Sequence, residues 1–111
     1  MVLRIAYFGL PLAAVLLARD GHALCSAVIS PGKPAGTRRL ERAGVPVVAA
    51  ESFDAAREAE LLARLERDRP DLLVSWFWTR RLSSTWLALP RRGALGVHPS
   101  LLPRHRGPDP Y

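Results

Sequence analysis

The 111 residues contain one cysteine, one methionine and one lysine, and no long uninterrupted apolar run. A lone Cys25 cannot close an internal disulfide, which fits a reducing compartment. The apolar stretch near the N-terminus is broken by Arg4, Gly9, Pro11 and Arg19. Neither a membrane span nor a signal peptide is expected from it, so the location expected is cytoplasmic. Gly9 is not followed by G-x-G-x-x-G, so the dinucleotide-binding fingerprint is missing and Gly9 and Pro11 read as a turn. His98, His105 and Cys25 show no ligand spacing, and no metal is expected. Ser100 lacks the glycines of a nucleophile elbow, which leaves a Ser–His–Asp arrangement without support. Low-complexity segments, internal repeats and linkers are likewise missing, so the chain reads as one domain at most.

Of the 16 basic residues only Lys33 is not arginine, and the formal net charge is +6. The abundance of arginine and alanine reads partly as a compositional bias. The charge is compatible with a solvated arginine-rich surface and with weak affinity for phosphate-bearing ligands. Hydrophobic residues make up 49% of the chain, enough for one small core.

The apolar segments alternate with helical ones. Val2 to Phe8 reads as a buried strand that ends at Gly9-Leu10-Pro11, and Leu12 to Asp20 as a helix stopped by Gly21. Ala23 to Ile29 is a second strand, Thr37 to Ala43 a short helix and Val45 to Val48 a third strand. Asp54 to Arg69 is predicted as a longer helix, with Leu61, Leu62 and Leu65 on one face and Glu60 paired with Arg64 one turn on. Asp71 to Trp76 is a fourth strand, Ser84 to Ala88 a turn of helix and Ala94 to Val97 a fifth strand. The strands are continuous apolar runs, as in parallel sheets covered on both faces. The fold class expected is therefore α/β: a Rossmann-like open, mostly parallel sheet with helices on both faces. Such sheets bind ligands beyond the carboxyl ends of their strands, where three loops fall: Gly9–Pro11, Trp76–Leu82 and His98–Gly107.

In those loops His98 closes the fifth strand and is followed by a segment stiffened by Pro99 and Pro103. Trp76, Phe77 and Trp78 are compatible with core packing, favoured for Trp76, and with an aromatic face that flanks a planar ligand. His22 and His105 read as surface residues and Cys25 as a buried core thiol.

The segment His98-Pro99-Ser100-Leu101-Leu102-Pro103-Arg104-His105-Arg106-Gly107 resembles the H-x-S-L-L-P-R-[aromatic]-R-G signature of the formyltransferases that use 10-formyltetrahydrofolate. Pro70-Asp71-Leu72-Leu73-Val74 is similar to the P-D-L-[IV]-V stretch of the same family, and Lys33-Pro34-Ala35-Gly36 to the K-P-A-G stretch of its methionyl-tRNA members. Gly9, Pro11, Gly21 and His22 fall at matching places, so the likeness runs along nearly the whole chain. The resemblance implies 10-formyltetrahydrofolate as co-substrate, with Ser100, Leu101, Leu102 and Pro103 as folate contacts and the loop from Phe77 to Leu82, Phe77 and Trp78 foremost, lining the pterin pocket. It implies a formyl group moved to an amine, with His98 managing the proton. It suggests Arg38 and Arg39 as contacts for a phosphate-bearing substrate, tRNA or a small amine compound. Residues 1–111 are then expected to be the N-terminal part of a formyltransferase catalytic domain, with no second domain in the chain.

Four departures accompany the resemblance. Gly96 stands where the family carries a catalytic Asn, and losing one oxyanion donor typically costs about 10²–10³ in rate. No position for the family's downstream Asp occurs before Tyr111. The stretch between Gly9 and Gly21 is shorter by roughly one helical turn of 3.6 residues. The basic loop after Gly36 is also short.

Overall fold

The structure, a computed structural model, describes residues 1–97. His98, Ser100, Leu101, Leu102 and Pro103 lie outside the described residues, as does His105.

Five parallel strands form one open sheet in the order β3-β2-β1-β4-β5: β1 Arg4–Gly9, β2 Ala23–Ile29, β3 Val47–Ala49, β4 Leu72–Trp76 and β5 Ala94–Val97. Between them run α1 (Pro11–Arg19), α2 (Thr37–Arg42), α3 (Ala55–Arg67) and α4 (Ser84–Ala88), with a 3-10 turn at Ala50–Ser52. The α/β class and the parallel sheet are as expected, and so is the order of the elements.

The boundary shifts have local causes. Pro11 is the first residue of α1, where its fixed φ suits the helix and its missing N–H leaves no extra donor unpaired. β3 begins two residues later than predicted. The Val45 amide returns to Leu40 at the end of α2, and Pro46 contributes only its carbonyl, which accepts from Ala27 at 2.9 Å. Asp54 is the cap of α3 rather than its first residue, its carboxylate accepting from the Arg57 amide at 2.9 Å. Arg64 does not answer the expected Glu60 pairing. Its guanidinium donates to the Cys25 carbonyl at 3.3 Å, while Arg4 pairs with Asp68 at 2.9 Å.

The sheet separates two apolar clusters. On one face Phe8, Phe53, Trp78 and Trp86 pack with Leu61, Leu65 and Leu73. Phe8 is the hub: its ring centre lies 5.1 Å from that of Trp86, 5.6 Å from Trp78 and 6.1 Å from Phe53. The Trp86 indole N–H donates to Glu58 at 2.7 Å, which satisfies a buried donor. On the other face Ile5, Tyr7, Ala27 and Ile29 pack under Ala14, Val15 and Leu40 of α1 and α2. Cys25 is half-buried rather than fully buried, at the margin of the aromatic cluster. Burial raises its thiol pKa, partly offset by the nearby Arg4 and Arg64 charges. His22 is a turn residue with a structural bond, its Nδ1 accepting from the Leu3 amide at 3.1 Å.

Candidate active site

The order β1-β4-β5 places the ends of three strands side by side. Gly9 pairs with Trp76, and Trp76 with Val97, the residue before His98. Two of the three predicted loops therefore meet, and β5 ends beside them at Val97.

The meeting depends on glycine at position 9. Its φ is +127°, and a Cβ there would lie 1.9 Å from the Trp76 carbonyl oxygen. The missing side chain lets the Leu10 amide donate to that same carbonyl at 2.9 Å. The Gly9 carbonyl accepts from Ser30 at 3.0 Å, and the Phe77 amide donates to the Val97 carbonyl at 2.8 Å. Phe77 itself has φ +56°, a left-handed conformation that a bulky side chain adopts only when its surroundings impose it. The consequence is an aromatic ring that leaves the core: Phe77 is 36% exposed, against Trp76 at a tilted 5.4 Å.

The three aromatic residues thus divide their roles. Trp78 is 3% exposed and belongs to the core, with no free face for a planar ligand. Its indole N–H has no acceptor among the described residues. Trp76 is half-buried against the α1 side of the sheet. Phe77 presents a ring surface at the ligand edge, and the half-buried Trp76 lines a hollow beside α1 and β5 with Leu95 and Val97. Beyond it, Arg80 fixes the loop: its guanidinium donates to Ala50 at 2.8 Å and Phe53 at 3.2 Å, and lies 5.4 Å from the Trp78 ring centre. An exposed ring on a loop held by backbone hydrogen bonds suits stacking against a flat heterocycle.

Arg38 and Arg39 are exposed on α2, which packs against α1 and β3. The structure does not bring them to the Phe77 edge. β3, against which α2 packs, lies three strand positions from β4, whose end leads into Phe77, about 14 Å at 4.7–4.9 Å per step. Near them Lys33, with φ +48°, borders a hollow of about 170 Å³ with Ser30, Thr37 and Glu41. The Gly32 amide donates to Glu51 at 3.0 Å and holds that carboxyl below its usual pKa. Gly96 lies opposite Ser75 in the β4–β5 register, in the exposed edge strand. Among the described residues no group of three or more His, Cys, Asp or Glu could hold a metal ion, and no helix is long and apolar enough to cross a membrane.

Residues 11–111 match the model of the formyl transferase family. The chain belongs to that family. It is 42% identical to a methionyl-tRNA formyltransferase of Anaeromyxobacter dehalogenans, a match that covers 97% of this chain and 38% of the relative. The methionyl-tRNA formyltransferase of Herpetosiphon aurantiacus is 34% identical, with 97% and 39% covered. The chain therefore spans just under two fifths of the length of these relatives. Each match runs over 122 positions while covering 97% of this chain's 111 residues, so the relatives carry residues within the matched region that this chain lacks. The fold is similar to that of glycinamide ribonucleotide transformylase 1 from Geobacillus kaustophilus, with a TM-score of 0.65 at 24% identity, covering 99% of this chain and 65% of that one.

Two features of this region are not singled out by the sequence. Arg80 is one arginine among many until its two carbonyl partners are seen. Tyr7 reads as one more residue of a buried strand, although a phenol in an otherwise apolar run is a hint that a partner is near.

Proposed function

We propose that residues 1–111 form the N-terminal part of a catalytic domain that transfers a formyl group from 10-formyltetrahydrofolate to an amine, with methionyl-tRNA as acceptor. The observation that carries this reading is the join at the end of β5. The S-L-L-P-bearing segment His98–Gly107 follows directly on Val97, whose carbonyl is bonded to the strained, exposed Phe77. Family membership and the relatives' activities support the chemistry. In this reading Phe77 and Ser100 to Pro103 hold the folate, Trp78 backs the Phe77 turn from the core, and the exposed Arg38 and Arg39 meet substrate phosphate. The location is the cytoplasm.

The amine nitrogen attacks the formyl carbon, the bond from that carbon to folate N10 breaks, and the amine gives up a proton while N10 gains one. His98 takes the proton from the attacking nitrogen and returns it to N10. Gly96 offers no carboxamide donor to the developing oxyanion. A backbone N–H or an ordered water fills that role, since glycine permits close approach of either.

Gly96 also motivates a second reading, a folate-binding protein without turnover. A ribonucleotide or sugar-nucleotide amine is the alternative acceptor within the same chemistry, favoured by the shortened basic loop. Formyl transfer from 10-formyltetrahydrofolate, assayed with the full-length protein on methionyl-tRNA and on a panel of nucleotide-linked amines, separates the three. Transfer to methionyl-tRNA in preference to the panel is expected. Saturable folate binding with no transfer to any amine would establish the non-catalytic reading instead.

A further inference from the structure

Tyr7 is fully buried in the middle of β1, on the face that packs under α1. Its hydroxyl donates to the Leu10 carbonyl. Leu10 is the cap residue that precedes Pro11, the first residue of α1, so the phenol holds the peptide on which the helix starts. Leu10 has no capping side chain of its own.

The bond does not end at the helix. The Leu10 amide donates to Trp76, the next amide, Phe77, donates to Val97, and Val97 precedes His98. The Leu10 peptide groups are thus held on both sides, by Tyr7 from below and by the end of β4 from the side. With Gly9 unable to accept a side chain, the first loop has little freedom of its own to compensate.

We propose that Tyr7 is a positioning residue for the transfer site: its hydroxyl fixes the Leu10 turn and, through Leu10, Trp76 and Val97, sets the placement of the Phe77 ring and of the chain leading into His98. This rests on the formyltransferase reading above. Tyr7 touches neither folate nor acceptor in this scheme and acts only through the backbone relay.

Tyr7→Phe removes the hydroxyl and keeps the ring's packing. Leu24→Ala is the control, because it removes core volume from the same cluster at the opposite, amino-terminal end of β2. Two measurements on the full-length protein distinguish the possibilities. In amide hydrogen exchange, Tyr7→Phe is expected to speed the Leu10 and Phe77 amides selectively, whereas Leu24→Ala spares them relative to the rest of the sheet. In titrations with 5-formyltetrahydrofolate, Tyr7→Phe is expected to weaken binding about three- to tenfold, the size of one lost hydrogen bond, with Leu24→Ala close to wild type. Unchanged exchange at Leu10 and Phe77 overturns the relay. Equal folate affinity in wild type and Tyr7→Phe, with exchange altered, overturns its role at the site. A wild type that binds no folate contradicts the formyltransferase reading itself, and the exchange result then stands as the test of the relay alone.

Discussion

Replacing Gly9 with alanine attacks the point where β1 and β4 come together. Two costs add. A non-glycine residue at φ +127° is strained by roughly 1–3 kcal/mol. A Cβ 1.9 Å from the Trp76 carbonyl oxygen must also push that backbone away, and the Leu10–Trp76 hydrogen bond is lost or stretched for about 0.5–1.5 kcal/mol more. The sum, about 1.5–4.5 kcal/mol, is a large part of the 5–15 kcal/mol typical of a whole domain. Gly21→Ala provides the reference. Gly21 has φ +91°, but the methyl that alanine would add there meets nothing within 4 Å, so it reports backbone strain without collision. Urea titration followed by tryptophan fluorescence measures both, with the midpoint read at a constant slope. Gly9→Ala is expected to lose about 0.5–1.5 kcal/mol more than Gly21→Ala, the hydrogen-bond share of that sum. Equal losses would show that the close approach of Gly9 to β4 does not hold the ligand edge together.

Three further outcomes follow from the core and its bonds. Phe8→Ala empties the centre of the aromatic cluster and is expected to cost about 3–5 kcal/mol in the same titration; a loss under about 1 kcal/mol, the scale of a surface change, contradicts that packing. Asp54→Ala removes the α3 cap and should cost about 0.5–2 kcal/mol, with Asp54→Asn nearly neutral; a fully neutral alanine variant speaks against the cap. Burial raises the Tyr7 pKa above the ordinary tyrosine value of about 10. The folded state thus favours the neutral phenol, whose contribution is complete below pH about 10 and declines as pH rises through the range between the unfolded and folded values. Stability measured from pH 9 to 11 should therefore fall more steeply in wild type than in Tyr7→Phe, and parallel curves would place the phenol in water.

The architecture was readable from the sequence because the strands are short, continuous apolar runs with glycine or proline at their ends. Ala23–Ile29, Ser84–Ala88 and Ala94–Val97 lie where the pattern puts them. β3 escaped because apolarity continues through Val45 and Pro46 while hydrogen bonding does not: Val45 is claimed by α2, and proline has no amide to give. The aromatic triplet shows a deeper limit. Three adjacent rings after a strand do not reveal which turns inward. Phe77 has a positive φ and its ring is exposed, while Trp78 is buried, a division set by tertiary packing and not by the local pattern. The expected convergence of loops needed the strand order, which places β4 between β1 and β5 although β4 follows β3 in sequence. The same order separates Arg38 and Arg39 from the Phe77 edge, so a substrate that meets both must be extended.

The central claim is that this chain carries the proton-handling His98 and part of the folate site of a formyltransferase. Its most direct test is formyl transfer from 10-formyltetrahydrofolate to methionyl-tRNA by the full-length protein, wild type against His98→Ala, with 5-formyltetrahydrofolate affinity measured on both. The account predicts turnover in wild type, its loss in His98→Ala, and nearly equal folate affinity in the two. Wild-type turnover retained by His98→Ala would contradict it.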